Sequence, residues 1–463
     1  GRGGPGVSAV ASNGRNGNVL TSWKEIAAYL DRDVRTCVRW EKRYGLPVHR
    51  LEKDAKAKVF AYRDEIDRWL AERPSGGGAG PGGRGRPRSV GRAVPLLFAL
   101  AGLAAAAYFL FLRPAPDPGA SVPADFRVRG SALVAVDAKG RELWAHDTGL
   151  AGLESEAFYR EHFQAKRPGQ SYVPVWPYLM IRDLDGAAGP EVLFSPQTKL
   201  EDGDGALLCL DGRGNERWRF EAGRELETGE RTFRKEFRIF GFDVDDYDGD
   251  GAPEILVIAF HKPHWPCQVA LLDTAGRLEG EYWNAGYVMD ASAGDVDGDG
   301  DRELVLAGVN NEYNRGCVAV FEAGALRGAS PQRAAEFAMP GPGPGGQSAY
   351  ILFPKSDVHA AMHLQGDPVN YFWIHEGGGL TAQTYETQIH FDLDRALSCR
   401  DVTLSHFFLN LHGEFAGAGK VRSVPDDRYR RALGEALLYY EGGEWVGRPC
   451  AGAKARPAGP AGR

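Results

Sequence analysis

Two nine-residue segments carry acids at a spacing that suits a hard cation. Residues 246 to 254 read DYDGDGAPE and residues 295 to 303 read DVDGDGDRE. Each places carboxylates at its first, third, fifth and ninth positions and glycine at its sixth. Ca²⁺ takes about six to eight oxygen ligands at short range, so alternate side chains of one tight loop must converge on a point. Gly251 and Gly300 allow the sharp bend, and a carbonyl near the seventh position adds a ligand. An EF-hand would need its glutamate later in the loop and a helix on either side. Here the ninth-position acid runs directly into an apolar strand, ILVIAF or LVLAG. The ion's expected role is structural, screening clustered carboxylates at a strand corner. A third copy, DLDGAAGPE, keeps Asp183, Asp185 and Glu191 but has Ala187 and Ala188 at positions five and six, which weakens it as a site. FDLD, from Phe391 to Asp394, reads as a fourth, more degraded blade edge.

Such loops need strands to hold them. From about residue 124 to 447 the chain alternates short runs of β-branched and aromatic residues with Asp-Gly turns, the pattern of many short antiparallel strands. One hairpin recurs: VAVDAKGRELW with Asp137, Gly140 and Trp144, then LCLDGRGNERW with Asp211, Gly214 and Trp218. LLDTAGRLEGEYW, with Asp273, Gly276 and Trp283, repeats it more loosely. Each is an apolar strand, a turn in which glycine supplies a positive φ, and a return strand with an aromatic anchor. A hairpin cannot bury its own faces, so recurrence predicts radial stacking, an all-β propeller, in preference to an irregular sandwich.

The two intact loops resemble the calcium-binding repeats of FG-GAP and VCBS proteins, bacterial relatives of the integrin α-subunit propeller. That resemblance implies a propeller fold and assigns Asp246, Asp248, Asp250 and Glu254 to one Ca²⁺ and Asp295, Asp297, Asp299 and Glu303 to a second.

Ahead of this region lies AVPLLFALAGLAAAAYFLFL, residues 93 to 112, with no charged residue. Twenty helical residues reach about 30 Å, the hydrocarbon thickness of a bilayer, so a single transmembrane helix is expected. Arg84, Arg86, Arg88 and Arg92 precede it, and Pro114 and Pro116 follow Arg113. The positive-inside rule then keeps the N-terminus cytoplasmic and exports the C-terminal region to the periplasm, with the protein in the inner membrane. Charge divides the same way. Residues before 93 include 19 basic and 10 acidic side chains, so of the net −7 the remainder carries −16. A basic cytoplasmic piece suits nucleic acid and an acidic exported one suits cations. Cys37 lies before the apolar stretch; Cys209, Cys267, Cys317, Cys399 and Cys450 lie after it. Their spacing matches no zinc site, which leaves buried thiols and at most a disulfide among them.

Residues 19 to 73 read as helix, turn, helix, hairpin, helix. Thr21 or Ser22 caps a first helix, SWKEIAAYL, with Glu25 three residues after Ser22 as a capping-box partner. VRTCVRWEKRY follows and ends at Gly45; Pro47 opens an extended stretch, VFAY returns as a strand, and DEIDRWL closes the unit. TCVRWEKRYGLPVHR resembles the recognition region of excisionase-like and MerR-like winged helix-turn-helix domains. The resemblance implies a small α/β DNA-binding fold. Arg35, Thr36 and Arg39 are then the candidate base or backbone contacts and Lys42 and Arg43 the phosphate contacts. His49, Arg50, Lys53, Lys56 and Lys58 lie on the basic wing. MerR sequences favour two aromatics before the glutamate, and this chain has only Trp40.

The expected order is therefore a disordered segment (1–18), a winged helix-turn-helix (19–73), a basic flexible linker (74–92), a transmembrane helix (93–112), a spacer (113–123), a calcium-binding propeller (124–447) and a disordered tail (448–463). The sequence offers no P-loop, no G-x-S-x-G and no zincin motif, so no enzyme is expected. In layout the chain resembles membrane-anchored one-component regulators of the ToxR type. That implies DNA, an extracytoplasmic ligand or protein, and a second copy of the chain as partners. The rival expectation is a surface adhesion protein whose propeller is the functional module and whose cytoplasmic domain is an adaptor.

Overall fold

In the computed structural model the described residues are 19–20, 23–30, 37, 46–50, 59–63, 66 and 121–451, without 165–166, 169–173, 187–188, 200–204, 230, 263–264 and 340–344. The chain divides into two compact units, 1–113 and 114–463. The apolar stretch 93–112, the linker 74–92 and the segment 1–18 lie outside the described residues. Among the described residues no helix is long and apolar enough to cross a membrane.

The first unit is a small α/β cluster. Helix Trp23–Leu30 turns Ile26 and Ala27 inward. Strand Val59–Tyr62 pairs antiparallel with Val19–Leu20 on one side and His49–Arg50 on the other. Leu20, Ile26, Ala27, Cys37, Leu46, Ala61 and Ile66 form the buried core. The strand at Val19–Leu20 went unforeseen, since two residues carry no periodicity.

Among the described residues of the second unit five larger sheets, antiparallel but for one edge strand, follow one another along the chain, with two two-stranded ones between them. Sheet one comprises Asp125–Arg129, Ala132–Val136 and Glu142–Asp147. Sheet two comprises Leu179–Arg182, Glu191–Phe194, Ala206–Leu210 and Glu216–Glu221. Phe237–Asp245, Glu254–His261, Cys267–Leu272 and Leu278–Asn284 make sheet three. Sheet four opens with Val288–Gly294, Glu303–Asn310, Arg315–Phe321 and Ala349–Leu352, and adds Leu438–Glu441 and Glu444–Gly447. Val369–Ile374, Leu380–Thr384, Ile389–Leu393 and Cys399–Leu404 make sheet five.

Alternate residues of one strand enter different cores, so the sheets stack face to face. In sheet three Ile255, Val257 and Ala259 join Leu193 and Leu207 of sheet two, whereas Leu256 and Ile258 join Leu304 and Leu306 of sheet four. Val305 and Ala307 face the other way, onto Phe372 and Phe391 of sheet five. A strand buried on both faces needs apolar side chains at every position, which is why ILVIAF and LVLAG show no alternation. The second unit is thus mostly β, with propeller-like sheets.

The repeated tryptophan links neighbours. Trp144 donates its indole N–H to the Gly212 carbonyl at 3.1 Å, and Trp218 donates to the Thr274 carbonyl at 3.0 Å. Each ring lies against the turn glycine of the next hairpin. A Cβ on Gly214 would sit 2.7 Å from Trp144, and one on Gly276 2.5 Å from Trp218. Trp283 does not repeat this role. It follows Asp273 by ten residues, whereas the other two follow their aspartates by seven, and Gly280 occupies the equivalent place. That glycine lets Leu326 approach, and Arg327–Ala329 adds a parallel edge strand beside Leu278–Asn284.

Two expectations need correction. The region is not all-β: helices Glu156–Glu161, Asp357–Met362, His406–Gly417 and Asp427–Glu435 interrupt the strands. Ser155, Ser356, Ser405 and Asp426 cap their first turns, each accepting a backbone N–H three residues on. FDLD ends strand Ile389–Leu393 of sheet five. Asp394 closes a hairpin turn, accepting from Ala396 and Ser398 N–H, as Asp211 accepts from Arg213 and Asn215. Leu397, with φ of 56°, stands where the other turns have glycine. The tail does not begin at 448, because Cys450 is buried in a disulfide with Cys399. Cys209, Cys267 and Cys317 remain buried thiols, as Cys37 does in the first unit.

Candidate metal centre

The three acidic loops occupy equivalent positions, each joining the first two strands of sheets two, three and four. Backbone and side-chain contacts align them along one rim. Arg182 donates to the Val244 carbonyl at 2.6 Å, Arg302 to Asp245 at 2.9 Å, and Gly379 N–H of sheet five to the Val296 carbonyl at 2.6 Å.

In the sheet-three loop the carboxylates of Asp246, Asp248 and Asp250 converge, with oxygens within 4.8 Å of one another; Asp295, Asp297 and Asp299 do the same in sheet four. The chain forces this convergence. Gly251 N–H donates to Asp246 Oδ2 and Gly300 N–H to Asp295 Oδ2, both at 3.1 Å, folding each loop back on its first aspartate. Both glycines have positive φ, 89° and 94°, which other L-residues adopt only at a cost.

The ninth-position glutamate opens the second strand and forms the floor. Glu254 and Glu303 are 4% and 2% exposed. Glu254 Oε2 accepts from Tyr247 N–H at 2.7 Å, and Glu303 Oε2 from Val296 N–H at 2.7 Å. Glu303 Oε1 is buried without a hydrogen-bond partner, as is Asp246 Oδ1. Burial, reinforced by Asp248, pushes the Glu254 carboxyl up to about 8; burial also pushes Glu303 up to about 7, against the pull of the Val296 N–H. Buried carboxylate oxygens lacking a donor, beside converging aspartates, form a donor set that fits a hard divalent cation. A cleft of about 220 Å³ opens beside the sheet-four loop, with Asp297, Glu303, Glu322, Arg395 and Arg448 among its lining.

The sheet-two loop shares this frame. Gly186 N–H donates to Asp183 Oδ1 at 2.6 Å and Leu184 N–H to Glu191 Oε2 at 3.0 Å. It differs in its occupant: Arg217 places Nη1 2.6 Å from Glu191 Oε1 and Nη2 2.9 Å from Asp185 Oδ2. The loop motif alone concealed Arg217. Its signal is positional, six residues after Asp211, at the bulge of the hairpin where Glu279 follows Asp273.

Of the candidate DNA contacts, His49 and Arg50 lie on the strand paired with Phe60 and Val59. Arg35, Thr36, Arg39, Lys42, Arg43, Lys53, Lys56 and Lys58 lie outside the described residues.

No protein-family profile matches this sequence, and no curated protein matches it. Solved β-propellers resemble the fold distantly. The Dos1 propeller is 10% identical over 60% of this chain and 65% of its own, with a TM-score of 0.32. The exotype rhamnogalacturonan lyase YesX is 15% identical over 58% of this chain and 48% of its own, at 0.28. BBS1N, in complex with ARL6DN, is 11% identical over 63% and 85%, at 0.24.

Proposed function

We propose that this protein is a membrane-anchored one-component transcriptional regulator: a cytoplasmic winged helix-turn-helix, one membrane-spanning helix at 93–112, and a periplasmic FG-GAP/VCBS-like propeller braced by two Ca²⁺ ions that meets a ligand or protein partner. It is read as a non-enzyme. The observation that carries the reading is a disulfide in the unit that follows the apolar stretch, on its acidic side. Before it lies a basic segment; after it, an acidic unit holds the Cys399–Cys450 disulfide beside the buried thiols Cys209, Cys267 and Cys317. Disulfides persist in oxidising compartments and are rare in the cytosol. The Arg-rich flank on the basic side agrees in sign with that orientation.

In this reading the ions hold rim loops in place and the chemistry outside is recognition. Occupancy of the propeller, or pairing of two chains, changes the local concentration of DNA readers inside, because the Gly-rich linker transmits proximity better than rotation. The rival is an adhesion protein with an adaptor in place of the DNA reader. Two measurements decide. Protease added to intact spheroplasts digests residues 124–451 and spares 19–73; the opposite pattern, or a freely soluble protein, refutes the topology. DNA retention by the full chain weakens steeply with salt and falls in Arg39→Ala. Retention indifferent to salt and to Arg39 favours the adhesion reading.

A further inference from the structure

The three rim loops share a backbone frame, yet they differ in what neutralises them. In sheets three and four the centre of the loop is a convergence of three aspartates, and in sheet four the glutamate floor keeps a buried oxygen with no donor. In sheet two that floor oxygen is taken. Glu191 Oε1 and Asp185 Oδ2 are bridged by the two terminal nitrogens of Arg217 at 2.6 and 2.9 Å. A planar guanidinium with parallel donors is suited to spanning two carboxylates. The sequence changes in concert. The loop with the arginine lacks the fifth-position aspartate, which is Ala187 in place of Asp250 or Asp299, so one negative charge is dropped where the chain supplies a positive one. Sheet three has the reverse pairing, with an intact loop and Glu279 at the hairpin position of Arg217.

We infer that the Arg217 guanidinium is a tethered stand-in for the divalent cation: the sheet-two loop is filled by the chain itself, and the protein's metal capacity is two. This rests on the calcium reading of the other two loops. It adds a consequence of its own. When calcium is withdrawn, the rim loosens at 246–254 and 295–303, while 183–191 stays held by its own side chain. Calcium dependence is thereby confined to sheets three and four.

The test measures calcium bound to the full chain in detergent by equilibrium dialysis, beside hydrogen exchange in calcium and in chelator. The wild type takes up two ions. Arg217→Glu, which removes the internal cation and supplies a further carboxylate, takes up three. In chelator, exchange rises in the sheet-three and sheet-four loops of the wild type and stays unchanged at 183–191. Three ions in the wild type overturn the inference, because the arginine then excludes nothing. Two in both proteins also overturn it, reducing Arg217 to a structural ion pair. No ion in the wild type refutes the calcium reading itself. The variant then decides separately, one ion keeping the stand-in role and none ending it. Should Arg217→Glu fail to fold, Arg217→Gln, which keeps a donor for Glu191, supplies the readout. Its melting temperature falls in chelator and is restored by calcium, whereas an equal fall in both conditions overturns the inference.

Discussion

Glu303→Gln should stabilise this protein in one solution and destabilise it in another. In calcium-free protein, burial raises the Glu303 carboxyl from its usual 4.5 to about 7. At about 1.4 kcal/mol per tenfold change in protonation, that difference disfavours the ionised folded form by about 3 kcal/mol. Below pH 4.5 the group is protonated folded and unfolded, and its full contribution is present. As pH climbs through about 7 that contribution is lost, because the unfolded chain ionises first. The amide has the same shape and no charge to bury. It can keep the 2.7 Å hydrogen bond from Val296 N–H through its oxygen and present its NH₂ where Oε1 lacks a partner. In chelator, the variant should therefore match the wild type near pH 4.5 and exceed it at pH 8 by up to about 3 kcal/mol, a rise of several degrees in melting temperature. Excess calcium reverses the order. An ion at a thousand times its dissociation constant adds about 4.1 kcal/mol to the wild type, more than the variant's lead of about 3 kcal/mol, and an amide that does not hold the ion forfeits it. Thermal melts at pH 4.5 and 8, each with chelator and with calcium, give the answer. An equal loss of stability in all four conditions would refute the metal reading of this glutamate and leave it an ordinary packing residue.

Other perturbations test the frame around the site. Trp144→Ala removes a half-buried indole and its bond to Gly212, and should cost about 2 kcal/mol in denaturant melts. Gly214→Ala meets the same ring from the other side at a φ of 86°, so it should cost at least about 1–2 kcal/mol; a neutral result would mean the sheets do not dock there. Reducing Cys399–Cys450, which closes a separation of 51 residues, should lower stability by about 3–4 kcal/mol, and Cys450→Ser should reproduce the loss without reductant.

Much of the second unit was legible because its physics is local. Strands buried on both faces must be apolar throughout, and a turn that needs positive φ selects glycine. Ligands from one loop must alternate, so DxDxDG announced its own geometry. The helices were equally local in principle, since Ser356, Ser405 and Asp426 cap them from within the sequence. They escape a strand pattern because each is short, at most twelve residues, and only its cap marks it. Trp283 misled for a related reason: the residue type recurred, but three positions out of step with the docking site.

The amino-acid order alone set the acid spacing, the hairpin repeat and the partition of charge around the apolar stretch, because each depends on neighbours a few residues apart. Folding decided which distant groups meet. Arg217 reaches Glu191 only across the width of sheet two, and Cys450 finds Cys399 only after two helices and a hairpin have brought the chain back. One of three similar loops consequently holds an arginine, and in the others three aspartates converge on one another. That difference lies in long-range contacts, which no local pattern encodes.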